Sequence, residues 1–175
     1  MKIAILGYSG SGKSTLAKHL SSRYRLPLLY LDTVQFEENW KLRDRAQAMT
    51  MVSAFMQNES WVIDGNYASF FQKERLEQAD CIVYMAFPRF ACLYRAFKRY
   101  RPHRNRTRES MAEGCVEKID LPFIWWILFQ GRSREKRRYY RQILAKYPSK
   151  TIFIKNQRQL DAFMAAPPME MDNPG

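Results

Sequence analysis

Residues 7–15 read Gly-Tyr-Ser-Gly-Ser-Gly-Lys-Ser-Thr and follow directly on Lys2-Ile-Ala-Ile-Leu6. An apolar run of that length is a buried parallel strand, and a strand that turns through glycines into a helix commits the chain to alternating β and α elements. Gly7, Gly12, Lys13 and Ser14 fit the pattern G-x-x-x-x-G-K-[ST]. In such a phosphate-binding loop the glycines let successive backbone N–H groups converge on a polyphosphate at the positive end of a helix. Lys13 would hold the outer phosphates and the Ser14 hydroxyl a Mg²⁺ ion. Ser9, Gly10, Ser11 and Thr15 complete the expected ATP cradle.

Apolar periodicity predicts strands over 2–6, 28–31, 61–64, 81–87 and 151–154, and helices over 14–24, 42–57, 67–78, 89–100 and 157–164. Strands alternating with helices pair in parallel through right-handed crossovers. The expected fold is therefore a five-stranded parallel sheet sandwiched by helices, one domain over residues 1–165. The stretch 121–130 is apolar but too short to span a bilayer, so it reads as a helix packed on the domain or on a partner subunit. Residues 166–175 carry three prolines and read as a disordered tail. The three cysteines are irregularly spaced, which fits reduced thiols rather than a disulfide framework or a zinc set. No signal-peptide pattern precedes the loop, and a cytoplasmic protein is expected.

Two carboxylates stand where ligands bind in such sheets. Asp64 ends the run Trp61-Val-Ile and is the candidate second Mg²⁺ ligand with Ser14; otherwise Asp64-Gly65 is a turn after a strand. Gly65 occupies the place where ATP-driven motors put a water-activating Glu, and the Asn-Lys-x-Asp guanine reader of GTPases is missing. Phosphoryl transfer to a small acceptor is favoured over hydrolysis coupled to movement. Asp32, after the second strand, either accepts the acceptor's hydroxyl proton or caps the next segment. Phe36, Trp40, Phe55, Phe70 and Phe71 read as core and pocket walls.

The net charge of +12 is unevenly placed, with ten Lys/Arg against nine Asp/Glu in residues 1–80 and nineteen against eight in 81–175. The segment 95–108 holds seven Lys or Arg and no acid, and a second cluster runs Arg132, Arg134, Lys136, Arg137, Arg138 and Arg141. Arg95 and Arg99 lie four apart on one helix face. The clusters fit an arginine-rich lid over 100–135 that closes on ATP, a nucleic-acid groove in which Phe97, Tyr100 and Tyr139 stack on bases, or a solvated basic surface.

With these residues in place, the chain resembles the adenylate kinase-like P-loop kinases of small molecules, including shikimate and gluconate kinases. By that resemblance Arg95 covers the adenine, Arg99 and Arg134 stabilise the transferred phosphoryl with Lys13, Asp32 is the acceptor-side aspartate, and Asp64-Gly65 is the metal-side Asp-Gly, with Gly65 against the acceptor. Adenylate kinases continue Asp-Gly with Phe-Pro-Arg, whereas Asn66 and Tyr67 stand here. Arg43 or Arg45 would then supply the acceptor-side cation. A wider resemblance, carried by 7–15, 31–33, 61–67, 87–89 and 111–115, is to the bacterial DNA topology modulation proteins. It adds the alternative of a nucleotide-gated DNA-binding protein to the expectation of an ATP- and Mg²⁺-dependent kinase.

Overall fold

A computed structural model describes residues 1–103, 107, 109–116 and 119–165. Five strands, β1 (Lys2–Gly7), β2 (Leu28–Tyr30), β3 (Trp61–Asp64), β4 (Cys81–Met85) and β5 (Thr151–Ile154), form one all-parallel sheet in the order β2-β3-β1-β4-β5. β1, β3 and β4 are almost wholly buried, as their near-continuous apolar runs require. Register brings Ile5 beside Asp64, Tyr30 beside Asp64 and Gly7 beside Met85. The carboxyl ends of β1, β2 and β3 therefore open on one rim of the sheet.

Helices cover both faces. On one, α1 (Lys13–Tyr24), α5 (Arg89–His103), α6 (Leu121–Leu128) and α8 (Gln157–Ala165) contribute Leu16, Leu20, Cys92, Ala96, Ile127 and Leu160 to a cluster with Ile3, Ile5 and Val83. On the other, α2 (Leu31–Gln35), α3 (Arg45–Met56), α4 (Gln72–Gln78) and α7 (Arg134–Leu144) pack Leu31, Val34, Val52, Leu76 and Leu144 against Ala4, Leu6 and Ile63. Caps fix several boundaries. Asp44 accepts from the Gln47 N–H to start α3, Asp120 from Phe123 to start α6, and Ser133 from Lys136 to start α7.

Several elements differ from the sequence expectation, among them the strand expected over 81–87, which stops at Met85. The strand expected over 28–31 stops at Tyr30, and Asp32 lies in the first turn of the five-residue α2. The helix expected from 67 starts at Gln72, because Phe71 adopts a left-handed φ of 50° that interrupts helical geometry. α7 occupies a basic stretch to which periodicity assigned no element. The apolar stretch from Leu121 packs on the domain, burying Ile127, and no helix among the described residues is long and apolar enough to cross a membrane. The tail 166–175, with Arg104, Arg106 and Arg108 of the basic segment, lies outside the described residues.

Candidate active site

The rim holds a cavity of about 1340 Å³ with the glycine-rich loop as its floor. Gly12 has a φ of 96° and caps α1, and a Cβ there would come 2.4 Å from Nη2 of Arg95. The left-handed φ, more than the contact with the mobile end of Arg95, is what calls for glycine here. Lys13 reaches back over the loop, its Nζ donating to the Tyr8 carbonyl at 3.2 Å. The Ser14 hydroxyl donates to Oδ2 of Asp64 at 2.7 Å. A hydroxyl and a carboxylate oxygen so placed fit Mg²⁺, which keeps most of its coordination for water and phosphate oxygens and needs few protein ligands.

Asn66, directly after the Asp-Gly pair, locks the loop to the end of β3. Gly7 N–H donates to Asn66 Oδ1 at 3.0 Å, and Asn66 Nδ2 donates to the Gly7 carbonyl at 2.7 Å. The segment carrying Asn66 is fastened from below by Arg75, a wholly buried arginine whose guanidinium donates to the carbonyls of Phe70 at 2.7 Å, Tyr67 at 2.8 Å and Gly65 at 3.4 Å. Burial lowers its pKa to about 10. Gln72 adds a bond from Nε2 to the Asn66 carbonyl at 3.0 Å and accepts from the Tyr139 hydroxyl of α7.

At the other end of the cavity the Tyr67 hydroxyl donates to Oδ1 of Asp32 at 2.7 Å. Burial, and then the Asp32 carboxylate itself, push the Tyr67 pKa far up, so this hydroxyl stays a donor at any physiological pH. The wall of α5 brings Arg95, Lys98 and Arg99 to the cavity. Arg95 lies 4.7 Å over the Phe87 ring and donates to Gln157 of α8, and burial lowers its pKa. Facing it, Trp126 Nε1 donates to Ser9 Oγ at 3.2 Å, and Lys136 sits 3.6 Å over the Trp126 ring. Arg132 stacks 3.7 Å from the Tyr8 ring centre and donates to the Phe87 carbonyl at 2.8 Å. Rings, cations and hydroxyls thus enclose the loop on three sides.

The architecture matches solved structures at low identity. Shikimate kinase from Acinetobacter baumannii in complex with shikimate superposes with a TM-score of 0.54 and 18% identity, over 91% of this chain and 87% of that one. Deoxyadenosine kinase from M. mycoides with bound dATP gives a TM-score of 0.51 and 14% identity, over 94% of this chain and 97% of that one. The fold is that of the P-loop kinases. No protein-family model and no curated protein matches the chain.

In this P-loop kinase fold, Ser9, Gly10, Gly12, Lys13, Ser14, Thr15, Asp32, Asp64, Gly65, Arg95 and Arg99 all line the one cavity. Gly7 and Ser11 stand behind it: Gly7 is held by Asn66, and Ser11 is wholly buried. Other expected residues lie elsewhere. Arg134 is exposed at the start of α7 and does not line the cavity, where Arg132 and Lys136 stand instead. Arg43 turns back on α2, its Nε donating to the Val34 carbonyl at 2.9 Å and its Nη1 3.6 Å from Glu37. Sequence reasoning missed Asn66, Tyr67, Arg75, Trp126 and Gln157 as site residues. Asn66 and Tyr67 were visible as the break from Phe-Pro-Arg, but nothing in their spacing announces a hydrogen bond to Gly7 or Asp32.

Proposed function

We propose that the protein transfers the terminal phosphoryl group of ATP, with Mg²⁺, to a hydroxyl of a small acceptor. One observation carries the reading: a single cavity holds Lys13 and the Ser14–Asp64 pair at one end and the Tyr67-held Asp32 at the other. ATP would lie on the loop, whose positive-φ glycines let its backbone pack directly against Met85, Cys92 and Arg95, and its ribose and base would meet Arg95 and Gln157. Mg²⁺, held by Ser14 and Asp64, would neutralise charge on the phosphate oxygens.

Lys13 and Arg99 would carry the charge of the phosphoryl group in flight, and the rings of Trp126 and Tyr8 would exclude water from it. Asp32, fixed by Tyr67, accepts the proton of the acceptor hydroxyl. The bond from the γ-phosphorus to the β-bridging oxygen breaks, leaving ADP, and the acceptor oxygen takes the phosphoryl. Positioning and charge stabilisation supply most of the acceleration.

The test is incubation of the protein with labelled ATP and Mg²⁺ against hydroxylated metabolites, nucleosides and nucleotides, beside Lys13→Ala and with duplex DNA in a parallel arm. Transfer to one acceptor class, lost in Lys13→Ala, is the expected result. Full turnover in Lys13→Ala would sink the assignment. Tight ATP binding without transfer, coupled to a salt-sensitive change in DNA affinity, would replace it with the DNA-binding alternative that the sequence resemblance raises.

A further inference from the structure

Trp40 is held in the acceptor end of the cavity by a backbone that L-residues seldom adopt. Asn39 and Trp40 are consecutive and both left-handed, with φ of 57° and 65°. Strained pairs of this kind persist only where the surroundings over-determine them. Here a segment far along the chain does so. Asn39 N–H donates to the Glu113 carbonyl at 3.4 Å, Trp40 N–H to Cys115 Sγ at 3.2 Å, and Trp40 Nε1 to the Val116 carbonyl at 3.3 Å. Gly114 permits the approach, since a Cβ on it would come 2.8 Å from Asn39 Oδ1. These contacts fix the indole while leaving it 38% exposed.

The ring stands among the groups assigned to the acceptor. Phe36 packs edge-on to Trp40, with centroids 5.3 Å apart, and its N–H donates to the Asp32 carbonyl at 3.1 Å. Asp32 in turn is bonded to Tyr67. Phe36, Asn39, Trp40 and Tyr67 line the same cavity as that carboxylate, and Tyr67 bonds to it. Among the described residues, the cations lining the cavity, Lys13, Arg95, Lys98, Arg99, Arg132 and Lys136, come from the end of the loop, α5, the segment leading into α7 and α7 itself. Lys41 and Arg43, the basic side chains nearest Trp40 in sequence, both pair with Glu37, and Arg43 also donates to the Val34 carbonyl. An anionic acceptor would meet the Asp32 carboxylate there, whereas a flat neutral one would meet ring faces and hydrogen-bonding groups.

We infer that the acceptor is an uncharged nucleoside, stacked on Trp40 with a sugar hydroxyl at Asp32. This rests on the kinase reading above and narrows it. Base-on-aromatic stacking is worth enough that its loss weakens binding by about 10- to 100-fold.

Calorimetry on the full chain with Mg²⁺ and a non-hydrolysable ATP analogue filling the loop tests it, with adenosine, deoxycytidine, their 5′-monophosphates and shikimate titrated in turn. At least one nucleoside should bind more tightly than its monophosphate and than shikimate. Trp40→Leu should bind it about 10- to 100-fold more weakly, and Trp40→Phe should recover most of the loss. Preference for a monophosphate or for shikimate, no nucleoside binding, or unchanged nucleoside affinity in Trp40→Leu would each overturn the proposal. Should Trp40→Leu fail to fold, the order of affinities in the unmodified protein decides. The ATP analogue is titrated first, and failure to bind it would strike the kinase reading itself.

Discussion

Asn66 pairs its amide with both the N–H and the C=O of Gly7, as a neighbouring strand would. Asn66→Ala leaves both Gly7 groups without those partners and should cost about 1–3 kcal/mol of stability, read from urea unfolding, along with most of the turnover. Asp64→Asn keeps the shape of the site but removes the charge. It should raise the Mg²⁺ concentration needed for half-maximal activity by tenfold or more, about 1.4 kcal/mol, while the melting temperature moves little. Tyr67→Phe removes the donor to Asp32; kcat should fall about tenfold with the KM for ATP unchanged, since the lost bond positions the base rather than the nucleotide. At this scale the sequence was uneven. Lys13, Ser14 and Asp64 were legible because their spacing is dictated by phosphate and metal chemistry. The Tyr67 bond to Asp32 and the backbone that holds Trp40, a residue read as core or pocket wall, were not, because a hydrogen bond across thirty-five residues and a left-handed backbone leave no periodic trace.

Among the elements, the connection from β3 to α4 depends on an unusual anchor. Arg75 sits in α4, wholly buried, and spends its guanidinium on three carbonyls of the preceding loop. Arg75→Met would fill the volume yet strand those carbonyls, so thermal unfolding should show a loss of about 3 kcal/mol or more and a looser Asn66–Gly7 link. The strands were legible because buried parallel strands are near-continuous apolar runs. α7 was hidden by its composition: its residues are mostly charged or tyrosine, and only Leu144 is fully buried. α2 was hidden by length, five residues following a strand without a break.

For the molecule as a whole, alkaline pH exposes how much stability is held by protonated phenols. Tyr30 and Tyr140 are pushed up to about 12 from 10.0, mainly by burial, and Tyr67 and Tyr84 are raised further. A raised folded-state pKa contributes stability that is complete below the unfolded value and is lost as pH climbs through the folded one. Arg75, lowered from 12.5 to about 10, works the other way over the same interval, as do Arg95 and Lys136, but the raised groups outnumber the lowered ones. Stability should therefore fall between pH 10 and 12, and absorbance at 295 nm should show these four tyrosines ionising only as the fold opens, after the exposed ones.

The strand order has a consequence in time. β1, the earliest of these five strands in chain order, lies at the centre of the sheet between β3 and β4, whose residues begin at 61 and 81. Until both neighbours leave the ribosome its apolar edges have no native partner, and at roughly 5–20 residues per second that wait lasts several seconds. The glycine-rich loop that follows β1 can take its working shape only after Asn66 and Met85 have arrived to hold it.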